Sequence, residues 1–484
     1  MWRSTTCLRV KTAKRVLGRL AQDKGAASSS KAALKSGRTV LATQRAYYST
    51  NTTPRWASAA TALKSTPRHL SDDRSEASTS SILDLPTSRI DDRQVIIGWD
   101  PHTYSRYHHI WLRDHCRCSE CFHPVTKQRL VNTFEIPPGV KPVHVESRAD
   151  GLEVKWPSSR PHTSFYPWSW LQQNSYDPHL AREPPQEKIL WGAKILQSPP
   201  TVTYEEAMAE DDRGLFKWLS NVEKFGFCFI TGVPPTPEAT EQLSCRIGFI
   251  RETQYGRFWD FTSDLAKGDT AYTTMALGAH TDTTYFTDPC GLQLFHLLSH
   301  TDGSGGATLL VDGFYVASIL KELHPDAYDI LSRVPVPAHA AGEASALYTP
   351  TPRLGYPVLR HQGEELIQVR WNNDDRSVMS HLEPSMVEAW YDAIRKWYAL
   401  LTSADSEFWV QLSPGTAVVV DNHRVLHGRS AFDGKRRMCG AYIGIDEYRS
   451  KLAILSERFA PDSVVHETAA YASVNGRSIW NPAL

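Results

Sequence analysis

Gly278-Ala279-His280-Thr281-Asp282, answered far downstream by Asp421-Asn422-His423-Arg424-Val425-Leu426-His427-Gly428-Arg429, carries the reading of this fold. On a strand or strand end, side chains two residues apart project to the same side, so His280 and Asp282 present an imidazole and a carboxylate together. His427 brings a second imidazole from a distant part of the chain. The three meet only if short strands lie side by side.

The text around them supplies such strands. Runs at Phe227–Thr231, Gly291–Leu298, Ala307–Val311, Leu366–Trp371, Ala417–Val420 and Cys439–Ile445 alternate with helical patterns near Pro237–Ile247, Tyr315–Arg333 and Ser385–Ser403. Thr203-Tyr204-Glu205-Glu206 has the side chains of a capping box. The pattern predicts a mainly β domain with flanking helices over about residues 200–470, a sandwich or jelly roll. Before it, Val95–Trp99, Val143–Glu146 and Leu152–Trp156, the last two joined through Asp150-Gly151, predict a small β domain over 91–185. A proline-bounded connector runs from Glu183-Pro184-Pro185 to Pro199-Pro200.

Two imidazoles and one carboxylate leave three coordination positions open, the arrangement of non-haem Fe(II) oxygenases. Those positions suit the keto and carboxylate oxygens of 2-oxoglutarate and O2. The far carboxylate of 2-oxoglutarate needs a cation, and Arg436, soon after His427, is the candidate, with Thr308 as a hydroxyl donor.

Cys116-x-Cys118-x-x-Cys121 offers three of the four ligands of a structural Zn2+. The fourth comes from elsewhere, with His162, His123 and His144 as candidates. A closed four-ligand site leaves no room for catalysis and holds the small domain together.

The chain has 484 residues, 41% hydrophobic and 22% charged, a composition that folds rather than stays disordered. Its zero net charge is uneven: residues 1–71 hold 14 Lys or Arg and the single acid Asp23. The remainder, 39 basic against 52 acidic residues, carries −13, which argues against nucleic acid as a partner. The basic, Ser- and Ala-rich start, with Leu8, Val10, Val16, Leu17 and Leu20 at helical spacing, predicts a mitochondrial transit peptide within a leader and linker over 1–90. Arg45-Ala46-Tyr47-Tyr48-Ser49 resembles a matrix-peptidase cut site. No stretch approaches the roughly 18 apolar residues of a membrane span.

The run Asp269–Phe286, with Leu310-Val311-Asp312-Gly313-Phe314 and Asn422–Arg429, closely resembles the carnitine-synthesis members of the 2-oxoglutarate oxygenases, the gamma-butyrobetaine dioxygenase family, and most of all its trimethyllysine-hydroxylating branch. The likeness covers about Val95 to Glu457. It implies a double-stranded β-helix catalytic domain, a zinc-binding N-terminal domain, a homodimer and a mitochondrial matrix location. It implies hydroxylation of free N6-trimethyllysine at carbon 3, the first step of carnitine biosynthesis, with Fe(II), 2-oxoglutarate, O2 and ascorbate as reductant. The iron ligands fall on His280, Asp282 and His427, the cosubstrate arginine on Arg436 and the fourth zinc ligand on His162. Tyr255, Trp259, Tyr272 and Tyr442 match an aromatic cage for a quaternary ammonium, which has no N–H to donate and binds aromatic faces instead. Asp269, where the sister enzyme has Asn, is placed to pair an α-ammonium, and Asn372 to hold the substrate carboxylate. This favours trimethyllysine over gamma-butyrobetaine. Ala279 and His423 depart from relatives, but neither is a ligand. A scaffold without catalysis would be expected to have lost one of His280, Asp282, His427 or Arg436, and all four are present.

Overall fold

The computed structural model describes residues 86–157, 162–180, 188–262, 273–342 and 346–459. The expected transit peptide, Asp269 and Tyr272 lie outside these residues. Among the described residues no helix is long and apolar enough to cross a membrane.

Residues 86–180 form two three-stranded antiparallel sheets. One joins Thr87–Ile90, Gln94–Gly98 and Tyr104–His108; the other joins His144–Ser147, Gly151–Trp156 and His162–Pro167. Strict alternation buries Val95 and Ile97 of Gln94–Gly98, which pack with Leu152, Val154, Tyr166 and Trp170 in a core of their own. The hairpin through Asp150-Gly151 forms as its sequence signals.

The larger part is a sandwich of two sheets. The six-stranded sheet runs Thr201–Thr203, Phe227–Thr231, Thr416–Asp421, Leu292–Thr301, Lys435–Ile443, Trp259–Thr262 in spatial order. The four-stranded sheet runs Leu277–His280, Val425–Arg429, Thr308–Asp312, Phe408–Val410. Successive strands switch sheets: Leu292–Thr301 feeds Thr308–Asp312, and Thr416–Asp421 feeds Val425–Arg429. That is the double-stranded β-helix, and it brings the distant His280 and His427 onto adjacent strands.

Each sheet is covered on its outer face. Helices Arg213–Phe225, Pro237–Ile247 and Ile445–Phe459 bury Trp218, Leu243 and Leu452 against Leu294, Val419 and Ile443 of the large sheet. Gly313–Leu323, Pro325–Arg333 and Pro384–Leu401 bury Trp390 and Trp397 against Leu309, Val311 and Leu426 of the small one. Ala417-Val418-Val419-Val420 is therefore apolar without alternation, because both its faces are covered. Between the sheets Phe227, Phe229, Leu310, Phe408 and Val418 fill one end. The other end is left for the site.

Three expectations shift. The helix read over Tyr315–Arg333 is two, broken at His324-Pro325 because proline has no N–H to continue a helix but suits a first turn. The strand read to Ile445 ends at Ile443, and Ile445 opens the last helix. Leu366–Trp371 contributes the strand Glu365–Val369, paired with Leu359–Gln362 outside both main sheets. The connector is also more than a link: its Trp191 is buried between Phe227 and Phe408.

Asp312 and Arg424 fasten this arrangement. Both are fully buried, 2.7 Å apart at their closest atoms. Asp312 also accepts from the Phe314 and Trp191 main-chain N–H groups, and Arg424 donates to the Lys224 and Ile189 carbonyls. Removing one partner of such a pair strands a buried charge. Asp312→Ala is expected to lower unfolding free energy by about 3–5 kcal/mol in urea titrations; a loss under about 1 kcal/mol would contradict the role given to this pair.

Candidate active site

His280 is the last residue of its strand and pairs directly with His427 on the neighbouring one. The imidazole rings lie 4.4 Å apart, centroid to centroid. Asp282, two residues past the strand, turns Oδ1 toward both: it is 3.2 Å from His280 Nε2 and 3.6 Å from His427 Nε2. One ligand atom from each residue falls within 4.8 Å of the others. His280 Nδ1 donates to the Gly278 carbonyl at 2.8 Å, which leaves Nε2 as the lone-pair nitrogen facing the cluster.

The electrostatics fit a cation. Burial works against charge on Asp282, yet the two imidazoles and the Tyr442 hydroxyl hold its carboxyl well below the usual carboxylate range. Burial opposes charge on His280 too, but Asp282 raises it to about 9, while burial and then His280 push His427 down to about 3. The donor set, two imidazoles and one carboxylate on one side, suits Fe(II) with open positions.

The surrounding chain fixes the carboxylate from three directions. Asn422 accepts from the Asp282 N–H at 2.7 Å and donates to its carbonyl at 3.0 Å, tying Asp282 to the turn that precedes the His427 strand. Thr281 is bonded to Trp371 through main chain and side chain at 2.7 and 3.0 Å. Gln293 and Tyr442 donate to Asp282 Oδ2 at 2.6 and 2.7 Å. Thr283, next in sequence, takes a left-handed conformation with φ of 57°, a strained backbone that this network holds in place.

The triad opens into a pocket with two poles. At the cationic pole stand Arg436, Arg429 and Thr308, with Thr308 directly opposite Arg429 across the strand pair. Arg429 donates to the Thr273 and Met275 carbonyls. Arg436 Nε is buried with no hydrogen-bond partner among the described residues. Burial, and then the neighbouring Arg429, push the Arg436 guanidinium down to about 10. A buried guanidinium whose Nε has no hydrogen-bond partner among the described residues suits an anion.

The other walls are aromatic and acidic. Tyr255, Trp259 and Tyr442 all line the pocket, together with Tyr285, Phe261 and Phe295. Tyr442 has a second contact, its hydrogen bond to Asp282. Asn372 lines the pocket but donates to Asp375 at 2.9 Å and accepts from the Asp374 N–H at 2.9 Å, so its amide also shapes its own turn. Asp374 and Asp375 face the same space. Sequence reasoning gave no role to Arg429, Gln293, Phe295 or Asp375. Alternation outward from His427 would have pointed to Arg429; nothing in the apolar run Leu292-Gln293-Leu294-Phe295 marked Gln293.

Far from this pocket in sequence, Cys116, Cys118 and Cys121 gather around His162 Nε2 at 3.4, 3.8 and 3.6 Å. His123 instead accepts from nearby main-chain N–H groups, and His144 lies beside Glu146. Glu120 stands 3.5 Å from His162 Nδ1, where a carboxylate orients a ligating imidazole. The Cys116–Cys121 hydrogen bond raises the Cys116 thiol and lowers that of Cys121, so one of the pair readily gives up its proton. Three sulfurs and one nitrogen make a closed tetrahedral donor set that fits Zn2+.

Comparison with known proteins places this geometry. The family described as taurine catabolism dioxygenase TauD, TfdA family matches residues 181–442, and the gamma-butyrobetaine hydroxylase-like N-terminal family matches residues 87–172. The chain is 43% identical over 378 residues to a trimethyllysine dioxygenase of Meyerozyma guilliermondii, covering 75% of this chain and 93% of that one. It is 40% identical over 357 residues to the mitochondrial trimethyllysine dioxygenase of Homo sapiens, covering 73% and 84%. To the gamma-butyrobetaine dioxygenase of Homo sapiens it is 30% identical over 373 residues, covering 75% and 94%. The chain belongs to the TauD/TfdA dioxygenase family and, within it, to the group of the trimethyllysine dioxygenases.

Proposed function

We propose that this chain hydroxylates N6,N6,N6-trimethyl-L-lysine at carbon 3, using Fe(II) and 2-oxoglutarate, as the first step of carnitine biosynthesis. The observation that carries the reading is one pocket holding both the His280–Asp282–His427 cluster and the buried Arg436, whose Nε has no hydrogen-bond partner among the described residues. Higher identity to the trimethyllysine dioxygenases than to the gamma-butyrobetaine enzyme supports the choice of substrate.

His280, Asp282 and His427 hold the iron on one face. When bound, the iron couples the oxidative decarboxylation of 2-oxoglutarate by O2 to insertion of one oxygen atom into a substrate C–H bond. Arg436 receives the far carboxylate of 2-oxoglutarate as a two-pronged ion pair, with Thr308 beside it. That pairing returns to the guanidinium the stabilisation that burial removes. Tyr255, Trp259, Tyr272 and Tyr442 enclose the trimethylammonium, whose charge is best stabilised by aromatic faces and a negative field. Asp269 pairs the α-ammonium and Asn372 the carboxylate, so the substrate is held at both ends with carbon 3 toward the metal.

Cys116, Cys118, Cys121 and His162 hold a structural Zn2+ that closes the N-terminal domain over 91–185, separate from the catalytic domain over 200–470. The basic start of the chain acts as a mitochondrial transit peptide that directs the protein to the matrix, a reading supported by the word mitochondrial in the human relative's name. The working enzyme is a homodimer, with ascorbate keeping the iron reduced; both follow from the family resemblance.

Incubated with iron, ascorbate and 2-oxoglutarate, the purified protein is expected to add one oxygen atom to trimethyllysine, read by product mass, and to turn over gamma-butyrobetaine at least about tenfold more slowly. Equal or faster conversion of gamma-butyrobetaine would overturn the substrate assignment. For Cys118→Ser, metal analysis is expected to show loss of about one zinc per chain and thermal scans a lowered melting temperature. Unchanged zinc content would refute the structural-zinc reading.

A further inference from the structure

We propose that Gln293 and Tyr442 are positioning residues that confine Asp282 to one-oxygen ligation of the iron, and so keep the third coordination position open. The inference rests on the Fe(II) and 2-oxoglutarate reading and extends it to residues with no assigned part in metal binding.

A carboxylate has two oxygens and can give a metal one or both. With two imidazoles and both oxygens bound, only two positions remain. Bidentate 2-oxoglutarate would fill them and exclude O2. The structure separates the two oxygens of Asp282: Oδ1 faces His280 Nε2 and His427 Nε2, whereas Oδ2 takes the hydrogen bonds from Gln293 Nε2 at 2.6 Å and Tyr442 Oη at 2.7 Å. An ionised carboxylate only accepts, so the Gln293 amide must turn its N–H2 toward it, and its orientation is fixed by chemistry. Two short bonds to one oxygen disperse its charge and compete with the metal for its lone pairs.

The placement of the donors matters as much as their distances. Gln293 and Tyr442 stand directly opposite each other on neighbouring strands of the six-stranded sheet. His280 and His427 belong to the four-stranded sheet, and Asp282 follows its edge strand. The clamp therefore reaches across the sandwich. The Gln293 and Tyr442 side chains are both buried, and their own contact, Gln293 Nε2 to Tyr442 Oη at 3.4 Å, keeps them a pair.

The test titrates the iron-loaded protein anaerobically with 2-oxoglutarate, following the metal-to-ligand charge-transfer absorption, and then mixes the saturated complex with O2 and times the loss of that absorption, in the natural sequence and in Tyr442→Phe, Gln293→Met and the double variant. Phe keeps the ring and Met the bulk, while each removes the donor to Asp282 Oδ2. The O2-dependent loss of that absorption is expected to slow about tenfold in each single variant and about 100-fold in the double, while the 2-oxoglutarate Kd changes by less than about threefold and zinc content stays the same. No loss of O2 reactivity in the 2-oxoglutarate-saturated double variant overturns the clamp. So does a loss that merely follows the loss of iron, since a general packing role would produce that. If the double variant does not fold, Tyr442→Phe alone decides by the same criteria. Absence of the absorption band from the unmodified protein is a different failure, that of the 2-oxoglutarate reading beneath the clamp.

Discussion

The pairing of His280 with His427 across two antiparallel strands is the constraint on which the site depends. A shift of one residue in that register would turn one imidazole to the opposite face of the sheet, and the cluster would be lost. The register is therefore secured from outside the pair. Val425–Arg429 is held on its other side by Thr308–Asp312, and the strand end at Asp312 is locked to Arg424 by a fully buried ion pair. The same pair anchors the connector carrying Trp191, so the stability of the sandwich and the alignment of the site share one fastening.

Asp282 cannot rely on strand pairing, because it lies beyond the last residue of its strand. Side chains do that work instead. Asn422 holds its main chain, Thr281 is bonded to Trp371, and Gln293 with Tyr442 holds the carboxylate. The left-handed Thr283 marks the sharp turn that follows. Rigid strands carry the imidazoles and a hydrogen-bonded loop carries the carboxylate, and among the described residues no fourth protein ligand joins the cluster.

What the sequence revealed follows from which constraints are local. The His-x-Asp spacing and the Cys116, Cys118 and Cys121 spacing are short enough for ligand geometry to show directly in the text. The apolar run Ala417–Val420 announced a strand, and the fold shows both its faces covered. Roles that depend on register stayed hidden: Arg429 was in plain view inside the His427 stretch, but its place opposite Thr308 needs the strand pairing. Gln293 is a lone polar side chain in the apolar run Leu292–Leu294, and only the register that sets Tyr442 across from it reveals its part. The helix break at Pro325 was legible and went unread, because the apolar period continued through it. Trp191 was hidden for the opposite reason, since a proline-bounded connector gives no sign that it passes through a core.

The central claim is that two imidazoles and one carboxylate oxygen, and no other protein group, bind one ferrous ion in a half-open site. X-ray absorption at the iron edge of the anaerobic protein, recorded before and after addition of 2-oxoglutarate, examines it most directly. The account predicts two histidine nitrogens and one carboxylate oxygen from the protein, with solvent oxygens making up the remainder and two of them replaced by the cosubstrate. A sulfur in the first shell, a third imidazole, or a spectrum indifferent to 2-oxoglutarate would contradict it.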